Sequence, residues 1–437
     1  MIERILIVGS GAREHAIAAA LARSSADILC YGSARNPGID ALCKKYAVGK
    51  ITDAAAVSMF AQEQGATLAV IGPEAPLAAG VADSLWAAGV PVVGPKKSLA
   101  RIESSKGFTR DLLTKYGIAG NSFYRRFESM EGVEEVLRAW DGHHVIKDDG
   151  LAGGKGVKVC GDHLHSLEHS LDCCRELAAT RHPFVIEEKL EGEEFSLMSF
   201  SDGLCLRHMP AVQDHKRADN GDKGPNTGGM GTYTDANYSL PFLRESDVAE
   251  ARAINEQVAA ALLEECGASY RGILYGGFMA TREGVKLIEY NARFGDPECL
   301  NLLTLMETDF AAVCRAIVEQ KLGDVSVEFA SKASVCKYVV PDGYPDAPRV
   351  GDAVALPKEL PPGVTMYLGA VDVKDGELVA TGSRTVGVVG VAETIAAAEQ
   401  MCESVAQQIP GRFFHRADIG TAELIAKRVE HMKAVRS

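Results

Sequence analysis

At 437 residues, 46% of them hydrophobic, the chain is too long for one core and fits about three domains. A formal net charge of −13 argues against a nucleic-acid backbone or an anionic membrane as the main partner, so an anionic ligand would need a local cluster of basic groups. No apolar run approaches the ~20 residues of a membrane span, and Met1-Ile-Glu-Arg leads into a strand rather than a signal peptide. Eleven scattered cysteines without a C-x-x-C pair read as reduced thiols, so a cytoplasmic protein is expected.

The first hundred residues read as an open parallel α/β sheet. Ile5-Leu6-Ile7-Val8 is a buried strand, followed by a glycine turn and an alanine-rich helix from about His15 to Arg23. Ile28-Leu29-Cys30-Tyr31, Leu68-Ala69-Val70-Ile71 and Pro91-Val92-Val93 continue the strands. Gly72-Pro73-Glu74 and Gly94-Pro95 end two of them, at the edge where such sheets bind ligands. The turn Gly9-Ser10-Gly11-Ala12-Arg13-Glu14 suggests a dinucleotide site, but Glu14 stands in place of the third glycine and Tyr31-Gly32 offers no acid for a ribose. Its backbone N–H groups, beside Arg13 and His15, suit the phosphate of a small metabolite, or simply form a tight turn.

A helical pattern returns after Ser104, and a smaller α/β unit runs from Ser122 to Leu190. Within it, Gly150-Leu151-Ala152-Gly153-Gly154-Lys155-Gly156 is too short for a P-loop, and Gly156 replaces the metal-holding Ser or Thr. The loop could still close its amides over a triphosphate and exclude water; alone it could be a flexible hairpin. Cys160, His163, His165, His169 and Cys173 fit no zinc spacing and read as an exposed helix. A larger unit follows, with a helix near 246–266, strands near 273–291 and a helix near 302–322. In it, Asp214-His215-Lys216-Arg217 leads to Gly224-Pro225-Asn226-Thr227-Gly228-Gly229-Met230-Gly231, a basic cluster joined to a loop that a ligand would order. From about Ser331 the chain reads as β-rich, with alternating patterns over Ala333 to Val340, Gly363 to Val373 and Thr385 to Val391.

The densest chemistry lies in Ile288 to Glu298. Alternation along a strand puts Glu289, Asn291 and Arg293 on one face, offering a carboxylate, an amide carbonyl and a guanidinium in a row. The first two are hard oxygen ligands of the kind Mg²⁺ takes while borrowing others from nucleotide phosphates. The arginine can meet a transferring phosphoryl group bidentately. Gly295-Asp296-Pro297 then turns the chain and holds two further carboxylates, Asp296 and Glu298, nearby.

In this order the segments resemble the ATP-grasp superfamily and, within it, the phosphoribosylamine-glycine ligase family. The resemblance rests on D-H-K-R at 214–217, G-P-N-T-G-G-M-G at 224–231 and N-A-R-F-G-D-P-E at 291–298, with G-P-E-A-P-L at 72–77 and E-S-S-K at 103–106. It implies an N-terminal substrate-binding α/β domain (1–103), a two-lobed ATP-grasp domain (104–330, lid lobe about 122–190) and a C-terminal β-rich domain (331–437). ATP would lie between the central lobes. Lys106 and Lys147 would meet phosphates and base, Gly153, Gly154, Lys155 and Gly156 would close over the triphosphate, Glu187, Glu188 and Leu190 would hold the adenine, and Glu194 the ribose. Glu289 and Asn291 would hold Mg²⁺ or Mn²⁺.

Arg293, Asp214 and Lys216 would stand at the reacting atoms. The pocket for 5-phosphoribosylamine would combine Gly9, Gly11, Arg13, Glu14, His15, Gly72, Pro73 and Glu74 with Arg217, Asn226, Thr227, Gly228 and Gly229, and with Gly295, Asp296, Pro297 and Glu298. The implied reaction joins glycine to that amine through glycyl phosphate, in a monomer or small homo-oligomer with no nucleic-acid or membrane partner. Ala12, Pro37, Asp148 and Leu300 depart from the family pattern and bear on the acceptor. The alternatives are an ATP-grasp ligase with another acceptor, an NAD-linked oxidoreductase, favoured only by the first turn, and a silent nucleotide-binding regulator.

Overall fold

A computed structural model describes residues 3–151 and 156–437, so the expectations for Gly153, Gly154 and Lys155 lie outside the described residues. The N-terminal segment forms a five-stranded parallel sheet in the order Lys45–Val48, Asp27–Gly32, Arg4–Val8, Leu68–Ile71, Val92–Val93. Arg4–Val8 is the central strand, and its apolar run is buried on both faces as parallel sheets require. The edge strand Lys45–Val48 escaped the sequence reading because only one of its four residues is fully buried. The first helix, Ala12–Leu21, begins earlier than expected because Gly11 N–H donates to Glu14 Oε2 at 2.6 Å, the half of a capping box that a glycine N-cap can make.

The lid lobe is a four-stranded antiparallel sheet, Tyr124–Phe127, Phe184–Glu188, His144–Asp148 and Val157–Val159, backed by helices Val133–Ala139 and Leu167–Ala179. Leu137, Ile146, Phe184 and Ile186 belong to a small core separate from that of the rest of the molecule. The larger lobe carries Leu206–His208, Glu193–Ser201, Gly272–Thr281 and Gly284–Asn291 in an antiparallel sheet, packed against the helix Glu245–Cys266. The helix expected near 302–322 is two helices, Glu298–Leu305 and Phe310–Glu319, with the Asp309 side chain capping the second through Ala311 N–H.

The last sheet runs Gln213–Asp214, Gly231–Thr234, Ala333–Pro341, Val386–Ala392, Val364–Leu368, so two strands before residue 331 belong to it. All nine residues of Ala333–Pro341 are buried, including Lys337. The helices Glu298–Leu305 and Ile395–Ala406 both pack on this strand, so neither side faces water, whereas its alternating pattern had suggested one solvated face. The Lys337 ammonium is satisfied by Glu399 at 2.6 Å, Glu403 at 2.7 Å and the Ala417 carbonyl at 2.8 Å. The chain closes with a helix, Ala422–Val435.

Candidate active site

One cavity of about 970 Å³ runs between the three segments. Glu289, Asn291 and Arg293 all line it. The register against Gly272–Thr281 slips there, with Gly277 opposite Glu289 but Phe278 opposite Leu287, so Ile288 is a bulge residue. Its carbonyl accepts hydrogen bonds from Lys147 Nζ at 3.0 Å and Arg110 Nη2 at 3.1 Å, which draws two cations to the strand end.

Those cations share a carboxylate. Glu187 receives Arg110 through two hydrogen bonds of 2.9 and 2.7 Å and lies 2.7 Å from Lys147, all three groups being buried. Burial alone would raise the Glu187 pKa; Arg110 and then Lys147 override it and bring it down to about 2. The Glu187 carboxylate, expected against adenine, is therefore committed to fixing Lys147. Lys106 Nζ donates to the carbonyls of Asp148 (2.8 Å) and Gly150 (2.9 Å), anchoring the strand that leads into the glycine loop. Glu188 Oε1 accepts from Phe123 N–H at 3.0 Å, and Glu188 and Leu190 line the cavity with Gly156.

Lys216 pairs with Glu194 on the cavity wall. Although burial opposes it, the Lys216 pKa is raised by Glu194, Glu289 and Asp214. The Glu289 carboxyl, half-buried in the wall, is held below its usual range by Lys216, Lys147 and Lys106. Asp214 and Glu298 are a different case: burial drives both pKa values up, and Glu298 adds to the shift on Asp214. The Tyr275 hydroxyl donates to Glu298 Oε1 at 2.8 Å.

Arg293 reaches the cavity but is already paired. Its Nη2 lies 2.9 Å from Glu103 Oε1, and its Nε lies 3.3 Å from Glu74 Oε2 without a hydrogen bond. Arg13 lines the same wall with Glu74, bonding Glu14 Oε1 at 2.7 Å and the Phe294 carbonyl at 3.2 Å. The first turn is filled differently from the expectation. The Glu14 carboxylate caps the helix and fills the space beside Gly9, Gly72 and Pro73: a Cβ on Gly72 would come within 2.0 Å of Glu14 Oε1. The Gly11 amide is thus taken by the chain's own carboxylate, and the Gly9 and Gly72 amides by the Tyr31 and Val8 carbonyls. His15 faces away from the cavity, its Nδ1 accepting from Leu368 N–H at 2.8 Å while its ring meets Tyr367 edge-on. Burial holds it neutral, with its pKa lowered to about 4. The physical reason for both corrections is packing: the C-terminal sheet docks on the helix and the turn closes on itself.

Arg217, Asn226, Thr227 and Gly228 line the cavity, as do Gly295 and Asp296. Arg217 bonds Asp162 of the lid lobe at 2.9 Å, and the Thr227 N–H and hydroxyl both donate to the Lys216 carbonyl. Gly11, Gly229 and Pro297 do not line the cavity. Of the four departures, Ala12 and Leu300 are buried in helices, Leu300 against Gly387, and Pro37 opens a short helix capped by Asn36. None of the three lines the cavity. The C-terminal wall residues Arg384, Lys427, Arg428 and His431 escaped the sequence reading, as did Arg110 and Tyr275. They sit in no motif, and only long-range contacts bring them here.

Family models fit the chain in three consecutive pieces: phosphoribosylglycinamide synthetase N domain over residues 3–103, its ATP-grasp (A) domain over 104–299 and its C domain over 334–422. A relative from Methanosarcina acetivorans, named phosphoribosylamine--glycine ligase, is 47% identical over 435 residues, spanning 99% of this chain and 98% of its own. The crystal structure of the phosphoribosylamine--glycine ligase of Thermotoga maritima superposes with a TM-score of 0.79 at 30% identity, covering 95% of this chain and 99% of that one. The biotin carboxylase domain of Hydrogenobacter thermophilus 2-oxoglutarate carboxylase, solved with MgADP, shares the fold with a TM-score of 0.71 at 13% identity, over 99% of this chain and 94% of that one. With family models over most of its length and a relative of this identity spanning nearly all of it, the chain belongs to the phosphoribosylglycinamide synthetase family.

Proposed function

We propose that the protein is an ATP-dependent ligase that joins glycine to 5-phosphoribosylamine, giving glycinamide ribonucleotide, ADP and phosphate in purine biosynthesis. A carboxylate lacks a leaving group for amide formation. Attack of a glycine carboxylate oxygen on the γ-phosphorus of ATP expels ADP and makes glycyl phosphate; attack of the amine on its carbonyl carbon then expels phosphate. The observation that carries this reading is the single cavity in which Lys106, Lys147 and Lys216 face Glu289, Asn291 and Arg293, with Arg13 and Glu74 of the N-terminal segment on the adjoining wall.

The donor set suits Mg²⁺ or Mn²⁺. Glu289 is held ionised and Asn291 adds an amide oxygen, while among the described residues no three His, Cys, Asp or Glu side chains converge on a metal. When bound there, the metal would screen the charge of the transferring phosphoryl group. Lys147, locked by Glu187, and Lys216 give fixed positive charge to the same group, and such preorganised charge is the largest source of rate in phosphoryl transfer. Arg293 reaches it by exchanging Glu74 or Glu103 for phosphate oxygens. Asp214 and Glu298, whose pKa values burial drives up, line the same cavity and can take the proton the amine gives up.

No helix of the described residues is long and apolar enough to cross a membrane, and a cytoplasmic monomer or small homo-oligomer acting on small molecules accords with this reading. The test is ADP release measured with 5-phosphoribosylamine generated in place. Turnover is expected only with glycine and the amine together. ATP hydrolysis unchanged when either is omitted would refute the proposal.

A further inference from the structure

We propose that Arg384, in the C-terminal segment, is a positioning residue of the acceptor pocket, fixing the 226–229 loop against the 295–298 turn so that the amine substrate meets a preformed wall. The inference rests on the functional reading above.

The geometry is convergent. Arg384 Nη1 donates to the carbonyls of Gly228 at 2.6 Å, Asp296 at 2.8 Å and Gly229 at 3.2 Å, and Nη2 donates to Asp296 Oδ2 at 3.0 Å. The guanidinium lies over the Tyr338 ring, 4.7 Å from its centroid, and the Tyr338 hydroxyl donates to Asp296 Oδ1 at 2.6 Å. Both Asp296 oxygens are thereby engaged, and the carboxylate is the hinge pin of the turn. Glu298, which lines the cavity with Asp214, stands two residues further on.

The loop shows the same dependence. Its arms are tied to the carbonyls of His215 and Lys216, through Met230 N–H and Thr227 N–H, and its tip to Arg384. A Cβ on Gly228 would lie 3.2 Å from Arg384 Cζ, and one on Gly229, where φ is +111°, would lie 2.6 Å from Pro297 Cδ and 2.7 Å from Asp214 Oδ1. The paired glycines are thus needed because a guanidinium presses on one side of the tip and the turn on the other. A planar fork that holds three carbonyls and a carboxylate at once cannot be replaced by an ammonium. The groups it holds belong to the acceptor side of the cavity, whereas Lys106 and Lys147 are held by the lid lobe and Glu187. Misplacing the acceptor wall should therefore act on the amine and spare ATP.

The experiment compares Arg384→Lys, Arg384→Gln and Tyr338→Phe with wild type, measuring kcat and both KM values. A shift of the wall by about 1 Å predicts a loss on the order of 100-fold in kcat/KM for the amine in Arg384→Lys. KM for ATP should stay within about twofold of wild type, because no nucleotide contact changes. Adding Asp296→Asn to Arg384→Lys should cost little more, since both remove one shared contact. Wild-type amine kinetics in Arg384→Lys, or ATP and amine constants worsening in parallel, would overturn the inference. If the Arg384 variants fail to fold, Tyr338→Phe decides: a raised amine KM with unchanged ATP KM supports the role, and wild-type constants refute it. A wild-type protein whose ATP use ignores the amine would overturn the functional reading itself, whereas amine-dependent turnover indifferent to Arg384 overturns this inference alone.

Discussion

Replacing Glu187 by Gln tests whether the buried triad with Arg110 and Lys147 sets the nucleotide side of the cavity. The carboxylate is the counter-charge for two cations whose side chains are 2% and 6% exposed, so the amide leaves both uncompensated. A pKa brought from 4.5 to about 2 corresponds to roughly 3 kcal/mol of favourable surroundings. Breaking a buried pair by removing one partner costs about 3–5 kcal/mol, the same order. Because the folded pKa is depressed, this stabilisation is complete above pH 4.5 and is lost as pH falls toward 2. Urea unfolding of wild type and Glu187→Gln should therefore show a gap of about 3 kcal/mol at pH 7 that closes progressively below pH 4.5. KM for ATP should rise in the variant, since Lys147 loses its tether. A gap below about 1 kcal/mol at pH 7, typical of an exposed pair, or one that does not change between pH 5 and 3, would show that the triad does not act as described.

Glu289→Gln and Asn291→Leu should each lower kcat by about 100-fold or more at saturating Mg²⁺ with the fold unchanged by circular dichroism; near wild-type turnover would remove them from the metal site. His15 stays neutral in the folded protein down to about pH 4, so between pH 6.5 and 4 its protonation on unfolding should drain stability by about 1.4 kcal/mol per pH unit. His15→Asn should flatten that slope, and an unaltered slope would mean the imidazole titrates normally. Glycine labelled with ¹⁸O in its carboxylate should deliver one labelled oxygen to released phosphate, and label in AMP would point to an adenylate instead.

Much of this was legible because local rules and tertiary packing agree. Strand alternation puts Glu289 and Asn291 on one wall, and the bulge at Ile288 leaves that outcome intact; the strand ends at Asn291, so Arg293 reaches the same cavity from the bend that follows rather than by alternation. The apolar runs of the parallel sheet are unambiguous for the same reason. Where packing overrides a local rule, the reading fails. His15 beside a glycine turn looks like an anion ligand until a strand from residues 364–368 claims its Nδ1. Glu14 did carry a usable signal, an acid three residues after the cap position, where it can bond back to the cap N–H. Arg384 carried none: it stands in a bare T-G-S-R-T, and its partners lie 156 and 88 residues away in the chain.

The shared sheet sets the unit in which this protein can be recombined. Gly231–Thr234 is zipped to Ala333–Pro341 through Gly231 opposite Lys337, Thr232 opposite Cys336, Tyr233 opposite Val335 and Thr234 opposite Ser334. The loop bearing Asn226 to Gly229 hangs from that same seam. A chimaera cut at residue 330 would keep the loop but supply a foreign strand for it to pair with, leaving edge groups unmatched and the loop tip without Arg384. Grafts that carry residues 211–234 together with everything after 331 keep the seam whole. The piece that can be inherited or engineered as one block is therefore discontinuous in sequence, joining the 226–229 loop to the C-terminal sheet it pairs with.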